Sequence, residues 1–150
     1  MNLGLTETQQ MLRNSAREFL DAECSDTYVR AMEEDERGYT PEMWKKLVEQ
    51  GWLGLIFPER YGGIGLGFVE LALLLEEMGR TLLPGPFFST VVLSGMTIME
   101  AGSEDQQTEY LSRIAEGQVI VTLALTEPSG SWDAVGVQTT ASADEGGYVI

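Results

Sequence analysis

Residues 124–134, Ala-Leu-Thr-Glu-Pro-Ser-Gly-Ser-Trp-Asp-Ala, place hydroxyl, carboxylate and indole groups directly after an apolar run. Pro128, Gly130 and the serines beside them favour a turn in almost any protein. The alternative is a loop whose backbone and hydroxyl groups hold a ligand. Composition alone favours the ordinary turn, so the rest of the chain has to decide between the two.

Several kinds of chemistry are excluded by residue type. The chain has no histidine, which removes the commonest general base and metal ligand, and with them any Ser-His-Asp triad within these residues. Cys24 is the single cysteine, so an internal disulfide is impossible and a reduced intracellular compartment is favoured. The acidic run at 32–38 is interpreted as the solvated end of a short helix. The alternative is a metal-binding site, but the run lacks further ligands that could converge on one ion.

The charge balance argues against a nucleic-acid partner. With 24 acidic and 9 basic residues, the formal net charge is −15, and a phosphate backbone would be repelled. The first ten residues lack the basic start and apolar core of a secretory signal and the arginine-rich pattern of a transit peptide. No apolar stretch reaches the roughly 18 residues of a membrane span. We therefore expect a cytoplasmic protein without a membrane span.

Two capping boxes predict helix starts. Thr6 with Gln9, and Ser103 with Gln106, have the spacing at which side chain and backbone cap each other. Residues 88–102 contain many β-branched side chains, but the length of the run and its final glycine favour a helix here as well.

The middle of the chain is predicted to form a helix, a loop and a second helix. Thr40 and Pro41 are typical of a helix start, and Gly51 of a helix end. Residues 52–67 are rich in glycine and in aromatic side chains, which predicts a loop fixed by buried rings. A dinucleotide-binding loop is rejected because no strand precedes the glycines. Residues 68–83 are apolar on more than one face, which predicts a central helix.

The hydrophobic period changes after residue 117. A β-branched run at 119–125, an alternating segment at 135–142 and a third run at 148–150 predict short strands. The predicted fold is mainly α: a helical domain of the up-and-down type over 1–117, then the first strands of a β domain over 118–150. Three short strands bury little surface, so we expect either a larger protein or a sheet completed by another chain.

Four segments, taken in order and spacing, resemble the acyl-CoA dehydrogenase family: 44–67, 70–91, 101–117 and 124–133. The resemblance covers essentially the whole chain. It implies an N-terminal helical domain followed by the start of a β-barrel-like middle domain. The family's C-terminal four-helix domain is absent from these residues.

The resemblance also implies an activity. The family binds FAD and oxidises an acyl-CoA thioester to the 2-enoyl thioester, with electron-transfer flavoprotein as acceptor and with homo- or hetero-oligomers of family subunits. Its catalytic base is a glutamate of the C-terminal domain, so no catalytic residue is expected in this chain. Glu76 and Glu77 are instead expected to face solvent or to pair with Arg80.

The resemblance also implies which positions of this chain contact the cofactor. The resemblance places Leu123, Leu125 and Thr126 at the polar edge of the flavin, through backbone amides and the threonine hydroxyl. The family's pyrophosphate-binding serine corresponds to Trp132 when no gap is introduced. Either Ser131 supplies the hydroxyl from a shifted loop, or Trp132 donates its indole N–H or packs on the cofactor.

The resemblance places part of an acyl-chain pocket on the helix after the Leu-Pro-Gly-Pro break. The candidates are Phe87, Phe88, Ser89 and Leu93, and ordinary helix packing is an equal alternative for them. Two other functions stay open. One is a non-catalytic subunit of a heteromeric acyl-CoA dehydrogenase that helps to bind FAD or substrate, and the other is a helical interaction domain.

Overall fold

The computed structural model describes residues 4–131 and 133–150. Within these ranges the α-helices are α1 (Glu7–Glu23), α2 (Asp26–Glu33), α3 (Pro41–Glu49), α4 (Phe68–Arg80), α5 (Met96–Ala101) and α6 (Glu104–Ala115). A π-helix spans Phe88–Gly95, and 3₁₀ turns lie at Trp52–Gly54, Glu59–Tyr61 and Ala134–Gly136. The strands β1 (Ser142–Asp144) and β2 (Gly147–Val149) form an antiparallel pair. A mainly helical fold with a small sheet at its C-terminal end confirms the predicted fold class.

The predicted capping boxes are both present. At the start of α1, Gln9 N–H donates to the Thr6 hydroxyl at 3.2 Å, and Thr6 N–H donates to the Gln9 side chain at 2.9 Å. Ser103 and Gln106 exchange the same two bonds at the start of α6, at 3.3 and 2.9 Å. These bonds satisfy N–H groups that have no partner inside the helix.

The core lies between the helices and the loop that follows α3. Helices α1 and α4 run side by side in the same direction. Two contacts show this: Gln9 bonds Glu70 near the start of both helices, and Arg17 bonds Glu77 further along. Fully buried large apolar side chains come from α1, α3, the loop, α4, the π-helix and α6: Leu20, Leu47, Leu53, Leu55, Phe57, Leu71, Leu74, Val91, Leu111 and Ile114.

The glycine-rich loop is tightly closed, as predicted, and its aromatic side chains are buried. Ile64 N–H donates to the Gly54 carbonyl at 2.9 Å, and Gly65 N–H donates to the Phe57 carbonyl at the same distance. A Cβ at Gly63 would lie 2.0 Å from the Phe57 carbonyl oxygen. Glycine is therefore required at this position by a close approach of two backbone segments.

The prediction that α4 is covered by its neighbours is wrong at its first turn. Leu71, Leu74 and Met78 join the core, but Phe68 is 64% exposed. Gln9, in the first turn of α1, bonds Glu70, so Phe68 lies level with the beginning of α1, where that helix offers little surface to cover it.

Two of the three predicted strands are corrected. Residues 119–125 form no strand with any described part of the chain, and the segment 135–142 contains the end of a 3₁₀ turn before β1 begins at Ser142. The third prediction is confirmed, because β2 pairs with β1 and Ala143 lies opposite Tyr148. Both strands are exposed along their whole length, so the hairpin adds nothing to the core.

Candidate functional site

A buried threonine holds the chain after α6 against the helical core. Thr90, fully buried on the π-helix, donates its hydroxyl hydrogen to the Val121 carbonyl at 3.1 Å. The Val121 N–H donates to the same hydroxyl oxygen at 3.3 Å. Val119 and Val121 also pack against the core. Residues 119–121 therefore have a fixed position although they belong to no sheet.

The predicted flavin-edge residues follow directly. Leu123 and Leu125 are half-buried, while Ala124 and Thr126 are exposed, so the segment alternates like a strand. In the described part of the chain, no hydrogen bond uses the N–H groups of Leu123, Leu125 or Thr126. A backbone N–H without an internal partner has to bond water or a ligand. The segment thus presents a row of donors beside the exposed hydroxyl of Thr126.

The loop after Thr126 is closed by Glu127. Its carboxylate accepts from the backbone N–H groups of Gln138 at 2.6 Å and Thr139 at 2.9 Å, and these bonds hold the pKa of Glu127 below its usual value. Its carbonyl accepts from the N–H of Gly130, which adopts a left-handed conformation with φ of +64°. Glu127 is therefore a structural residue of the loop.

Ser131 lies inside this loop and is half-buried. Its hydroxyl oxygen accepts from Asp133 N–H at 3.2 Å, and its own N–H donates to the Ser129 hydroxyl at 3.3 Å. The hydroxyl hydrogen of Ser131 has no acceptor in the described residues and is free to donate to an anion. Trp132, the other candidate for the same contact, lies outside the described residues.

The four predicted acyl-pocket residues do not share one surface. Phe87 is buried in the core, whereas Phe88 is 54% and Leu93 39% exposed. Ser89 is half-buried, and its hydroxyl donates to the Pro86 carbonyl at 3.0 Å. Only the two phenylalanines line the apolar groove of about 330 Å³ beside the end of α4, together with Leu75, Met78, Gly79, Leu82, Leu83 and Gly85.

Glu77 is the most deeply buried charged group in the described residues. Its carboxylate accepts from Arg17 Nε at 3.0 Å, Arg17 Nη2 at 2.7 Å and Arg80 Nε at 2.8 Å. Arg13 Nε lies 3.9 Å away and has no hydrogen-bond partner among the residues that the structure describes. The bonds from Arg17, and then those from Arg80, hold the pKa of Glu77 below its usual value although burial opposes them. Both carboxylate oxygens are therefore occupied, and the group is unsuited to accept a proton from a substrate.

The expectation that the two glutamates face solvent or pair with Arg80 is confirmed. Glu76 is exposed, and Glu77 pairs with Arg80. The sequence did not indicate that Arg17 on the adjacent helix also bonds to Glu77 and covers it.

Over residues 4–131 and 133–150, no group of three or more Cys, Asp or Glu side chains is arranged to hold a metal ion. The helices in those ranges are all too short or too polar to cross a membrane.

Residues 6–118 match the family model described as the acyl-CoA dehydrogenase N-terminal domain. The chain belongs to the acyl-CoA dehydrogenase family. The match covers the helical part of this acyl-CoA dehydrogenase chain, from the Thr6 cap to the segment after α6.

Individual relatives and solved structures support the same family. The chain is 34% identical over 153 residues to the probable acyl-CoA dehydrogenase YngJ of Bacillus subtilis, covering 100% of this chain and 40% of that protein. Its fold is similar to a structure of the ChsE4-ChsE5 complex from Mycobacterium tuberculosis, with a TM-score of 0.83, 28% identity and coverage of 99% and 39%. An acyl-CoA dehydrogenase from Bacillus anthracis complexed with FAD gives a TM-score of 0.78, 30% identity and coverage of 91% and 24%. The chain thus spans two fifths or less of these relatives.

Sequence reasoning did not find the contact of Thr90 with Val121 or the bonds from Arg17 to Glu77. The available signal was a polar residue inside an apolar helical stripe: Thr90 stands before two valines, and Glu77 stands between Leu74 and Met78. A polar side chain on a buried helix face requires a partner. The partner of each lies far away in sequence, and only the fold of this acyl-CoA dehydrogenase chain brings the two together.

Proposed function

We propose that this chain is the N-terminal portion of a flavin-dependent acyl-CoA dehydrogenase that oxidises an acyl-CoA thioester to the 2-enoyl thioester. The observation that carries the proposal, in a family member, is that the N–H groups of Leu123 and Leu125 have no partner among the described residues. They lie beside the exposed Thr126 and directly after the point where Thr90 anchors the chain. We also assign residues 1–117 to the helical domain and 118–150 to the start of the middle β domain.

These residues fit the polar edge of a flavin. FAD supplies the acceptor for the substrate's β-hydride when it is bound. The N–H groups of Leu123 and Leu125 would donate to the carbonyl and nitrogen acceptors of its ring, and the Thr126 hydroxyl adds a further donor. The Ser131 hydroxyl has a free hydrogen for a pyrophosphate oxygen. Trp132 is the alternative donor at that position.

The base that removes the α-proton is assigned to a residue outside these 150. A general base works best with a pKa near the operating pH. Bonds from Arg17 and Arg80 hold the pKa of the buried Glu77 below its usual value, and backbone N–H groups do the same for Glu127, so both are poor bases. This chain therefore contributes binding and positioning, and the activity depends on a carboxylate from elsewhere.

The exposed side of the π-helix is assigned to the acyl chain. Phe88 and Leu93 are five residues apart, both are partly exposed, and Ser89 stands beside the first of them. An apolar acyl group would gain by covering these side chains, because burial of apolar surface is favourable by about 25 cal/mol per Å². Phe87 supports this surface from the core.

A second function is a non-catalytic subunit that helps to hold FAD or to shape the pocket while a partner supplies the base. The similarity to a chain of the two-component ChsE4-ChsE5 complex favours this alternative, as does tryptophan at the position of the family's pyrophosphate-binding serine. Electron-transfer flavoprotein is the proposed acceptor for the first function. A cytoplasmic location stays a prediction for both.

The visible spectrum of the full-length protein tests the proposal. A yellow protein that is bleached by acyl-CoA under anaerobic conditions supports the dehydrogenase. A yellow protein that no acyl-CoA bleaches supports the non-catalytic subunit. A colourless protein that takes up no added FAD refutes both.

A pair of threonine variants locates the cofactor. Thr126→Val is expected to weaken FAD binding by about fivefold to tenfold, the effect of one lost hydrogen bond of ordinary strength. Thr122→Val is the control, because Thr122 is equally exposed on the same segment but lies before the row of donors. Equal FAD dissociation constants for the two variants would contradict the assignment of Thr126.

A further inference from the structure

Among the described residues, the hydroxyl of Thr90 is the hydrogen-bond partner of the Val121 backbone. Both backbone polar groups of Val121 bond to this one oxygen, the carbonyl as acceptor at 3.1 Å and the N–H as donor at 3.3 Å. In a sheet these groups would bond to an adjacent strand. A hydroxyl can serve both because it has one hydrogen to donate and lone pairs to accept.

Thr90 is itself held in a fixed place. It is fully buried, and its N–H donates to the Pro86 carbonyl at 2.9 Å. Further along the π-helix, the Ser94 hydroxyl donates to the Ser89 carbonyl at 2.8 Å. At the end of the π-helix Gly95 lies against the Phe57 ring so closely that a Cβ would come within 2.5 Å of Cζ. The π-helix is thus fixed at both ends, and the Thr90 hydroxyl is a defined point on the helical domain.

The anchor lies two residues before the first donor of the candidate flavin edge. In an extended chain successive residues point to opposite faces, so the residue that is tied at 121 decides which way 123 and 125 point. The observed alternation agrees: Val121, Leu123 and Leu125 are half-buried, while Thr122 and Thr126 are exposed. A slip of one residue would turn the whole segment over.

We propose that Thr90 is a positioning residue, which sets the register of residues 121–126 on the helical domain and so directs the N–H groups of Leu123 and Leu125 towards the flavin. The register is a property of this chain alone. The effect on the flavin rests on the proposed function.

Three variants of the full-length protein test this role. Thr90→Val keeps the shape of the side chain but removes the hydroxyl, and Thr90→Ser keeps the hydroxyl. Thr97→Val is the matched control, because Thr97 lies on the adjacent helix α5, is exposed, and donates only to the Leu93 carbonyl at 2.7 Å.

The first measurement is amide hydrogen exchange without FAD. In the wild type the Val121 amide should exchange more slowly than the Thr122 amide, and Thr90→Val should accelerate its exchange by about tenfold, as expected when the one ordinary hydrogen bond that this amide donates is lost. Thr90→Ser and Thr97→Val should stay within about threefold of the wild type. An unprotected Val121 amide in the wild type overturns the proposal even if the valine variant fails to fold.

The second measurement is the FAD dissociation constant from fluorescence titration of the apoprotein. It should rise by about tenfold in Thr90→Val, be restored in Thr90→Ser and be unchanged in Thr97→Val. Faster exchange at Val121 with unchanged FAD affinity overturns the link to the flavin and leaves the register. A wild type that binds no FAD overturns the proposed function instead, and the exchange data still decide the register.

Discussion

The strongest prediction on stability concerns Glu77. Replacing it by glutamine removes the negative charge that faces Arg17 and Arg80 but keeps the size of the side chain. Only 1% of the Glu77 side chain is exposed, so water cannot replace the lost bonds at the carboxylate. The neighbouring Glu76→Gln is the matched control, because Glu76 is exposed on the same helix.

The magnitude follows from the three bonds between 2.7 and 3.0 Å that the carboxylate accepts. Each hydrogen bond to a charged group contributes about 1.5–3 kcal/mol, and breaking a buried ion pair costs about 3–5 kcal/mol. The side chains of Arg17 and Arg80 are 47% and 38% exposed and regain water in the variant, which lowers the cost. We expect a loss of about 2–4 kcal/mol for Glu77→Gln. Glu76→Gln should change the free energy of unfolding by less than about 0.5 kcal/mol.

The same pair of variants has a defined pH dependence. The pKa of Glu77 is lower in the folded chain than in the unfolded chain, so its contribution is complete above the unfolded glutamate pKa of about 4.3. The contribution is lost as the pH falls through the lower, folded pKa. The stability difference between wild type and Glu77→Gln should therefore be constant from pH 7 to about pH 5 and shrink below about pH 4.

Urea unfolding followed by circular dichroism at pH 7 and at pH 3 measures all of these values. Equal losses for Glu77→Gln and Glu76→Gln would show that the buried arginine contacts contribute nothing net. A large loss for Glu77→Gln that persists unchanged at pH 3 would instead indicate a packing effect, and would contradict the electrostatic reasoning.

Three smaller predictions are checked by the same unfolding measurement. Gly63→Ala should cost about 3 kcal/mol or more, because its Cβ would lie 2.0 Å from the rigid Phe57 carbonyl oxygen, and a normal midpoint would contradict that close approach. Gly79→Ala should stabilise the chain by about 0.5–1 kcal/mol, since it lies on α4 with nothing within 4 Å of the added methyl group, and a loss would refute this. Thr40→Ala should cost about 1 kcal/mol by removing the acceptor of the Met43 N–H at 3.1 Å, whereas Thr40→Ser should be nearly neutral.

Local signals were sufficient for the helices. The capping boxes at Thr6 and Ser103, and the Thr40-Pro41 start, depend on residues at most three positions apart, so the sequence alone contains the interaction. The same holds for the loop glycines, whose tight turn was expected. Conversely, Arg17 reaches Glu77 across 60 positions, and no local pattern indicates which of the basic residues will do so.

The end of α4 shows how a helix can stop without its usual residue. Leu83 N–H donates to the Met78 carbonyl at 2.9 Å, and Leu82 N–H donates to the Gly79 carbonyl at 3.2 Å. This is the Schellman arrangement, which normally has glycine in the left-handed position. Here Leu82 occupies it, with φ of +55° and 70% exposure. The prolines that follow indicated the break, but a leucine gave no sign of the left-handed residue.

The wrong strand prediction for residues 119–125 and the missed Thr90 have one cause. β-branched residues predict an extended backbone, and the alternating burial of residues 121–126 agrees with one, but a strand also requires a neighbour for its N–H and C=O groups. Within the described residues this neighbour is a side chain of the π-helix, which satisfies Val121 alone and leaves the N–H groups of Leu123 and Leu125 without a partner. In the proposed function, these two N–H groups are the donors that residues 119–125 offer to the flavin.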